Sequence, residues 1–174
     1  MIIVVMGVSG CGKSTVASHL ALLLDVSFVD ADDLHPEKNK LKMSAGNALT
    51  DEDRAPWLES VRDYAKRFVQ REEHCVIACS ALKKRYRRTL NDATQVCYVF
   101  LDGKKELIQQ RIHNRHGHFM PEALLDSQFA ALESPEHDER VVYVDITPEP
   151  EAIARTAMEK LKQASWYQQL EPAL

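Results

Sequence analysis

At 174 residues the chain has the length of one domain, with enough material for a hydrophobic core that needs no disulfide support. A net charge of −4 argues against a dedicated nucleic-acid binder, which is usually basic. No run is long enough to span a membrane and the first apolar run lacks the basic flank of a secretory leader, so a cytoplasmic location is expected.

The first element is a predicted strand over 2–6, Ile-Ile-Val-Val-Met. It runs straight into Gly7-Val8-Ser9-Gly10-Cys11-Gly12-Lys13-Ser14, which fits the phosphate-binding pattern G-x-x-x-x-G-K-[ST]. A helix over 13–24 follows, starting with Lys13, Ser14 and Thr15. This strand–loop–helix setting is what the motif requires: glycines allow a sharp turn, successive N–H groups face one anion, and the helix N-terminus adds free donors. Lys13 is expected at the β- and γ-phosphates of a nucleotide, and the Ser14 hydroxyl on Mg²⁺.

A second strand is predicted over 27–30, ending at Asp30-Ala31-Asp32-Asp33-Leu34-His35. Ligands of open α/β sheets bind beyond the carboxyl ends of the strands, so these acids share an edge with the phosphate loop. Asp30 is expected to support Mg²⁺ through water, and Asp32 to orient an attacking hydroxyl; a turn or capping cluster is the plainer alternative. Residues 31–53 read as an excursion from the core. A helix over 54–70 opens with Arg54, which suits either a substrate carboxylate or the acids just before it.

The third predicted strand, 75–79, places Cys75 and Cys79 on one face as small buried residues. With Cys11 and Cys97 they form no C-x-x-C pair, and nothing in the sequence marks the Cys11 thiol as activated. The strand does not end in the Asp of an ordinary Walker B motif, and no N-K-x-D base-recognition signature follows. Both absences point away from switch GTPases and motor ATPases and toward small-molecule kinases. Next comes Ser80-Ala81-Leu82-Lys83-Lys84-Arg85-Tyr86-Arg87-Arg88 at the start of a helix over 82–91. Lys83 and Arg87, four apart, share a helix face that is either an anion site or a solvated basic surface.

Strands over 96–101 and 141–145 and helices over 104–116, 121–132 and 149–164 complete the pattern. The strands are expected to be covered on both faces. Alternation of strand and helix implies an α/β fold: a parallel sheet with helices on both faces, in a single domain spanning 1–174. Arg111 and Arg115 end one helix and lead into Gly117 in a polar segment, 114–122, expected to act as a mobile lid that carries a phosphate-stabilising arginine; the plainer alternative is that arginines favour a helix C-terminus through its dipole. His113, His116 and His118 lack a second ligand set at metal-site spacing. The tail after Ala164, with Trp166 and Tyr167, is expected to dock on the core or on a partner subunit.

Taken together, the segments resemble one family closely, the gluconokinases. They are M-G-V-S-G-C-G-K-S at 6–14, D-A-D-D-L-H-P at 30–36, K-M-S-A-G at 42–46, L-T-D-E-D-R-A-P-W-L at 49–58, C-S-A-L-K-K-R-Y-R at 79–87, G-H-F at 117–119 and S-Q-F-A-A-L-E at 127–133. Ala48 departs from the proline common in the family, a loop change with little bearing on chemistry. The resemblance implies a nucleoside-monophosphate-kinase-like, five-stranded P-loop fold, with ATP, Mg²⁺ and D-gluconate as partners, 6-phospho-D-gluconate as product, and a homodimer. It implies catalytic roles for Lys13, Asp32 and Arg115. It places the nucleotide on Gly7, Val8, Ser9, Gly10, Cys11, Gly12, Lys13, Ser14, Thr15 and Arg111. The substrate would meet Asp32, His35, Arg54, Lys83, Arg87 and Gln128, and the metal Ser14 and Asp30. A shikimate-kinase-like enzyme is the nearest alternative.

Overall fold

The computed structural model describes residues 1–114, 122–136 and 138–168. Five strands, β1 (Ile2–Met6), β2 (Ser27–Asp30), β3 (Cys75–Ala78), β4 (Val96–Asp102) and β5 (Val141–Asp145), form one parallel sheet in the order β2-β3-β1-β4-β5. The central strand β1 pairs with β3 from Ile2↔Cys75 to Val5↔Ala78 and with β4 from Ile2↔Val96 to Met6↔Phe100. Its side chains alternate between two cores, as the two-residue period of a strand requires. Ile3 and Val5 pack with α1 (Lys13–Leu24) and α7 (Pro150–Gln163), while Ile2, Val4 and Met6 pack with α3 (Asp51–Gln70) and α4 (Lys84–Asn91). Cys75 and Cys79 both enter the α3/α4 core, on one face as expected.

Coverage on both faces holds for β1, β3 and β4 but not at the sheet edges. Ser27 and Phe28 of β2 are exposed, and β5 alternates, with Val142 and Val144 inward and Tyr143 and Asp145 outward. An edge strand has a neighbour on one side only, which leaves room for solvent beside it.

The excursion over 31–53 holds more structure than its sequence suggests. A 3₁₀ turn (Ala31–Leu34) is capped by the Asp30 carboxylate, and α2 (Glu37–Ser44) follows Pro36. Helix α3 starts three residues before the expected Arg54. Thr50 and Asp53 form a reciprocal capping box, and Asp51, Glu52 and Asp53 fill its first turn, where carboxylates favour the helix dipole. The remaining helices are α5 (Lys105–Asn114), α6 (Glu122–Ala131) and the short α8 (Ser165–Gln168). Tyr167 docks α8 against the α1/α7 core, one of the two places expected for the tail. The carboxyl ends of β1, β2 and β3 thus open onto one edge, where the Gly7 amide donates to the Ser80 carbonyl at 3.3 Å.

Candidate active site

The phosphate loop is held in its turn by backbone that only glycine adopts readily. Gly7 has φ +148° and Gly10 φ +82°. A Cβ on Gly7 would stand 3.1 Å from the Leu101 carbonyl oxygen, and one on Gly10 would stand 2.6 Å from Ile112 of α5. The loop delivers the chain into α1 with no side-chain cap and no acidic residue in the first turn. Among the described residues, no side chain caps the leading N–H groups, and a helix N-terminus of this kind suits an anion. Lys13 donates to the Val8 carbonyl at 3.0 Å, folded back over the loop. Val8 and Cys11 are buried, so the loop offers their main chain rather than their side chains. Burial pushes the Cys11 thiol up, with Lys13 opposing. Ser14 and Thr15 are exposed at the start of α1.

The acidic edge meets the loop directly. The Ser14 hydroxyl donates to Asp30 Oδ2 at 2.5 Å, while Asp30 Oδ1 accepts from the Asp32 amide at 3.0 Å. Asp30 is thus both the turn cap and the partner of Ser14. Desolvation in the cleft, then the Asp30 and Asp33 carboxylates, push Asp32 above the ordinary carboxylate value, against the pull of Lys13. Its side chain is 83% exposed, so water screens these effects. Beside it His35, 5% exposed, stacks on Trp57 with ring centroids 4.2 Å apart, and Trp57 Nε1 donates to the Ala31 carbonyl at 2.7 Å. Burial, with Arg54 and Lys40 adding to it, lowers the His35 pKa to about 4, so the ring is neutral near pH 7.

The basic run divides. Lys83, the N-cap residue of α4, donates to both Asp51 oxygens at 3.1 and 3.0 Å, and Arg85 and Tyr86 converge on the same carboxylate. Arg54 donates to the Leu49 carbonyl at 2.7 Å and is close enough to His35 to help keep it neutral. Arg87 does not join them. Its Nε and Nη2 grip Glu139 at 2.5 and 3.0 Å, and its Nη1 donates to the Ala81 and Leu82 carbonyls at 3.0 and 3.1 Å. Arg87 has no exposed surface and braces the β3–α4 connection, so it is not brought together with Lys83 and Arg54.

Gln128 of α6 accepts from the Ser9 amide at 3.3 Å and the Ser9 hydroxyl at 3.2 Å, so in the free protein it touches the phosphate loop. Arg111 donates to the Thr147 carbonyl at 3.1 Å, beside the loop that follows β5. Arg115 and most of the expected lid lie outside the described residues. Sequence reasoning missed Trp57 as the platform for His35, Asp51 as the anchor of Lys83, and Glu139 as the partner of Arg87. The T-x-x-D capping pattern at 50–53 was a usable signal for the start of α3, and so for Asp51 and Trp57. Nothing local pointed to Glu139, which meets Arg87 across 52 residues.

Comparison with known proteins fits this geometry. A family model described as "Shikimate kinase" matches residues 9–162. Solved shikimate kinases are distant, however: that of Aquifex aeolicus is 17% identical, with a TM-score of 0.58 over 94% of this chain and 97% of its own, a likeness of fold alone. The thermosensitive gluconokinase of Escherichia coli is 50% identical over 145 residues, 82% of this chain and 78% of that protein. The gluconokinase of Gluconobacter oxydans is 45% identical over 87% of this chain and 85% of its own. The chain belongs to the gluconokinase family. A solved gluconokinase from Sinorhizobium meliloti shares its architecture, with 39% identity and a TM-score of 0.84 over 97% of both chains. The gluconokinase fold here is the five-stranded parallel P-loop kinase fold expected from the sequence.

Proposed function

We propose that the protein transfers the γ-phosphoryl group of ATP to the terminal hydroxyl of D-gluconate, giving 6-phospho-D-gluconate and ADP. The observation that carries this reading is the meeting, on one sheet edge, of the phosphate loop with Asp32 and His35, with Arg54 close to His35 and Lys83 following β3 on Asp51. Gluconate is an anionic open-chain polyol, and these residues match it with cations for the carboxylate and polar groups for the hydroxyls. The hydroxyl oxygen forms the new bond to the γ-phosphorus, and the bond to the β–γ bridging oxygen breaks. Asp32 accepts the hydroxyl proton, and Lys13 balances charge on the transferring group. Positioning and electrostatics do most of this work.

The donor set also fits Mg²⁺. Ser14 and Asp30 offer two hard oxygen donors side by side. That suits an ion which takes one or two protein oxygens and completes its shell with phosphate and water. When bound, Mg²⁺ would draw charge from the β- and γ-phosphate oxygens. No described helix is long and apolar enough to cross a membrane, and the reading includes a cytoplasmic homodimer.

A panel of sugar acids and shikimate, each with ATP and Mg²⁺, tests the proposal through ADP release and product mass together. Gluconate is expected to turn over and shikimate is not. Folded protein that leaves gluconate untouched would overturn the assignment. Light scattering tests the dimer.

A further inference from the structure

Beside the cleft lies a buried polar side chain that the chemistry above does not use. Asn39 is 1% exposed and is the one buried residue of α2. One end of its amide lies 2.8 Å from the Asp53 main-chain oxygen at the start of α3. A carbonyl oxygen only accepts, so that end is the NH₂ group. The same NH₂ lies 3.4 Å from Nδ1 of His35. Two N–H groups cannot face one another there, so Nδ1 is the bare nitrogen of the ring. The other end, Asn39 Oδ1, is buried without a hydrogen-bond partner among the described residues. Turning the amide round would not relieve it, because an oxygen would then face the Asp53 oxygen. The orphaned acceptor accompanies an orientation fixed from α3.

The stack on Trp57 sets the plane of the imidazole but does not choose which nitrogen carries the proton. Asn39 makes that choice. A neutral ring with a bare Nδ1 carries its hydrogen on Nε2, the atom 3.8 Å from Asp32 Oδ1. The groups around the ring are Asp32 from the 3₁₀ turn, Lys40 from α2 and Arg54 from α3. The two cations disfavour a second proton, so the ring stays a single-faced donor.

We infer that Asn39 is a positioning residue: its amide holds His35 as the Nε2–H tautomer, so that His35 donates a hydrogen bond into the cleft, toward Asp32 and the substrate hydroxyls. The inference rests on the reading of this cleft as the acceptor site. It explains why a helix exposed on its other faces keeps one asparagine buried, and it gives His35 a directed role as donor rather than a general polar one. If Nδ1 carried the hydrogen instead, Nε2 would present a lone pair to the Asp32 carboxylate, and the two acceptors would repel.

Long-range ¹H–¹⁵N correlation spectra of histidine-labelled protein near pH 7, without ligands, read the tautomer directly. The His35 signals are assigned by their loss in His35→Gln. The expected pattern is a protonated Nε2 and a bare Nδ1 in the wild type, with a mixture of tautomers in Asn39→Ala. An Nδ1–H ring in the wild type would overturn the inference, whether or not Asn39→Ala folds and whether or not gluconate is the acceptor. Kinetics supply the second arm. Asn39→Ala should raise the gluconate KM by roughly 2- to 10-fold, the range of one neutral hydrogen bond, and leave the ATP KM unchanged. In a His35→Gln background the same substitution should change the gluconate KM less than about 2-fold, because its effect passes through the ring. Full additivity of the two substitutions would show that Asn39 only supports the fold, and would also overturn the inference.

Discussion

Arg87→Ala separates a brace from a binding residue, and the structure sets the size of its effect. The substitution removes a guanidinium whose side chain is 1% exposed, paired with a Glu139 side chain that is 7% exposed. It deletes two hydrogen bonds to Glu139 and two to the carbonyls of Ala81 and Leu82. Burial works to raise the Glu139 pKa, but the Arg87 hydrogen bonds, the Glu136 amide and nearby Lys84 together hold it below the ordinary value. Without Arg87 that carboxylate is stranded. Removing one partner of a buried pair costs about 3–5 kcal/mol. For a chain of 174 residues each kcal/mol lowers Tm by roughly 2–4 °C, so a fall of about 6–20 °C is expected. Thermal and urea denaturation followed by circular dichroism measure it, with gluconate and ATP KM taken below the transition. The paired change Arg87→Met with Glu139→Leu should recover much of the loss, since no charge is then stranded. An Arg87→Ala protein with Tm within about 2 °C of wild type and a gluconate KM raised tenfold would refute the reasoning and return Arg87 to the substrate.

Lys13→Ala removes the cation folded over the loop and should lower kcat by about 10²–10³ with the circular dichroism spectrum unchanged; near-normal turnover would detach the loop from the reaction. Asp32→Asn should lower kcat by roughly 10²–10⁴ while ATP binding, read by isothermal titration, stays close to wild type; lost ATP affinity with kcat retained would move Asp32 to the nucleotide side. His35 has a folded pKa lowered from 6.5 to about 4, so protons bind the unfolded chain more readily. Its stabilising contribution is complete above pH 6.5 and is lost as the pH falls toward 4, up to about 3 kcal/mol. Urea unfolding of His35→Gln should show a shallower loss than wild type over that window, and parallel curves would exclude His35 as the cause.

The parts of this enzyme that obey a local rule could be read from its sequence. The phosphate loop and the five strands carry their signals within a few residues, and all fall where the pattern puts them. The start of α3 was misplaced because the acids at 51–53 look like a loop until Thr50 is recognised as their cap. Helix α2 went unseen because it buries a single residue and so has almost no apolar periodicity. The inward turn of Arg87 has a different origin. Lys83 and Arg87 stand at helical spacing in one basic run, but Lys83 is the N-cap residue, outside the helix proper, and only the arrival of Glu139 from the segment before β5 determines that Arg87 faces inward. Sequence can give the charge of a run, but its partner across the fold decides whether that charge is a ligand or a rivet.

The absence of a side chain at Gly10 reaches beyond the loop itself. The space where its Cβ would stand is filled by Ile112, with Ile108 one turn earlier along the same helix. Next to Ile112 in that helix, Arg111 reaches the segment after β5. Helix α5 is therefore a common back-plate, pressing on the phosphate loop with one side and tying itself to the far end of the sheet with the other. A tilt of this helix would be transmitted to both places at once. Substitutions along it are expected to change affinity for the nucleotide as a whole, with the loop and the β5 side gaining or losing together.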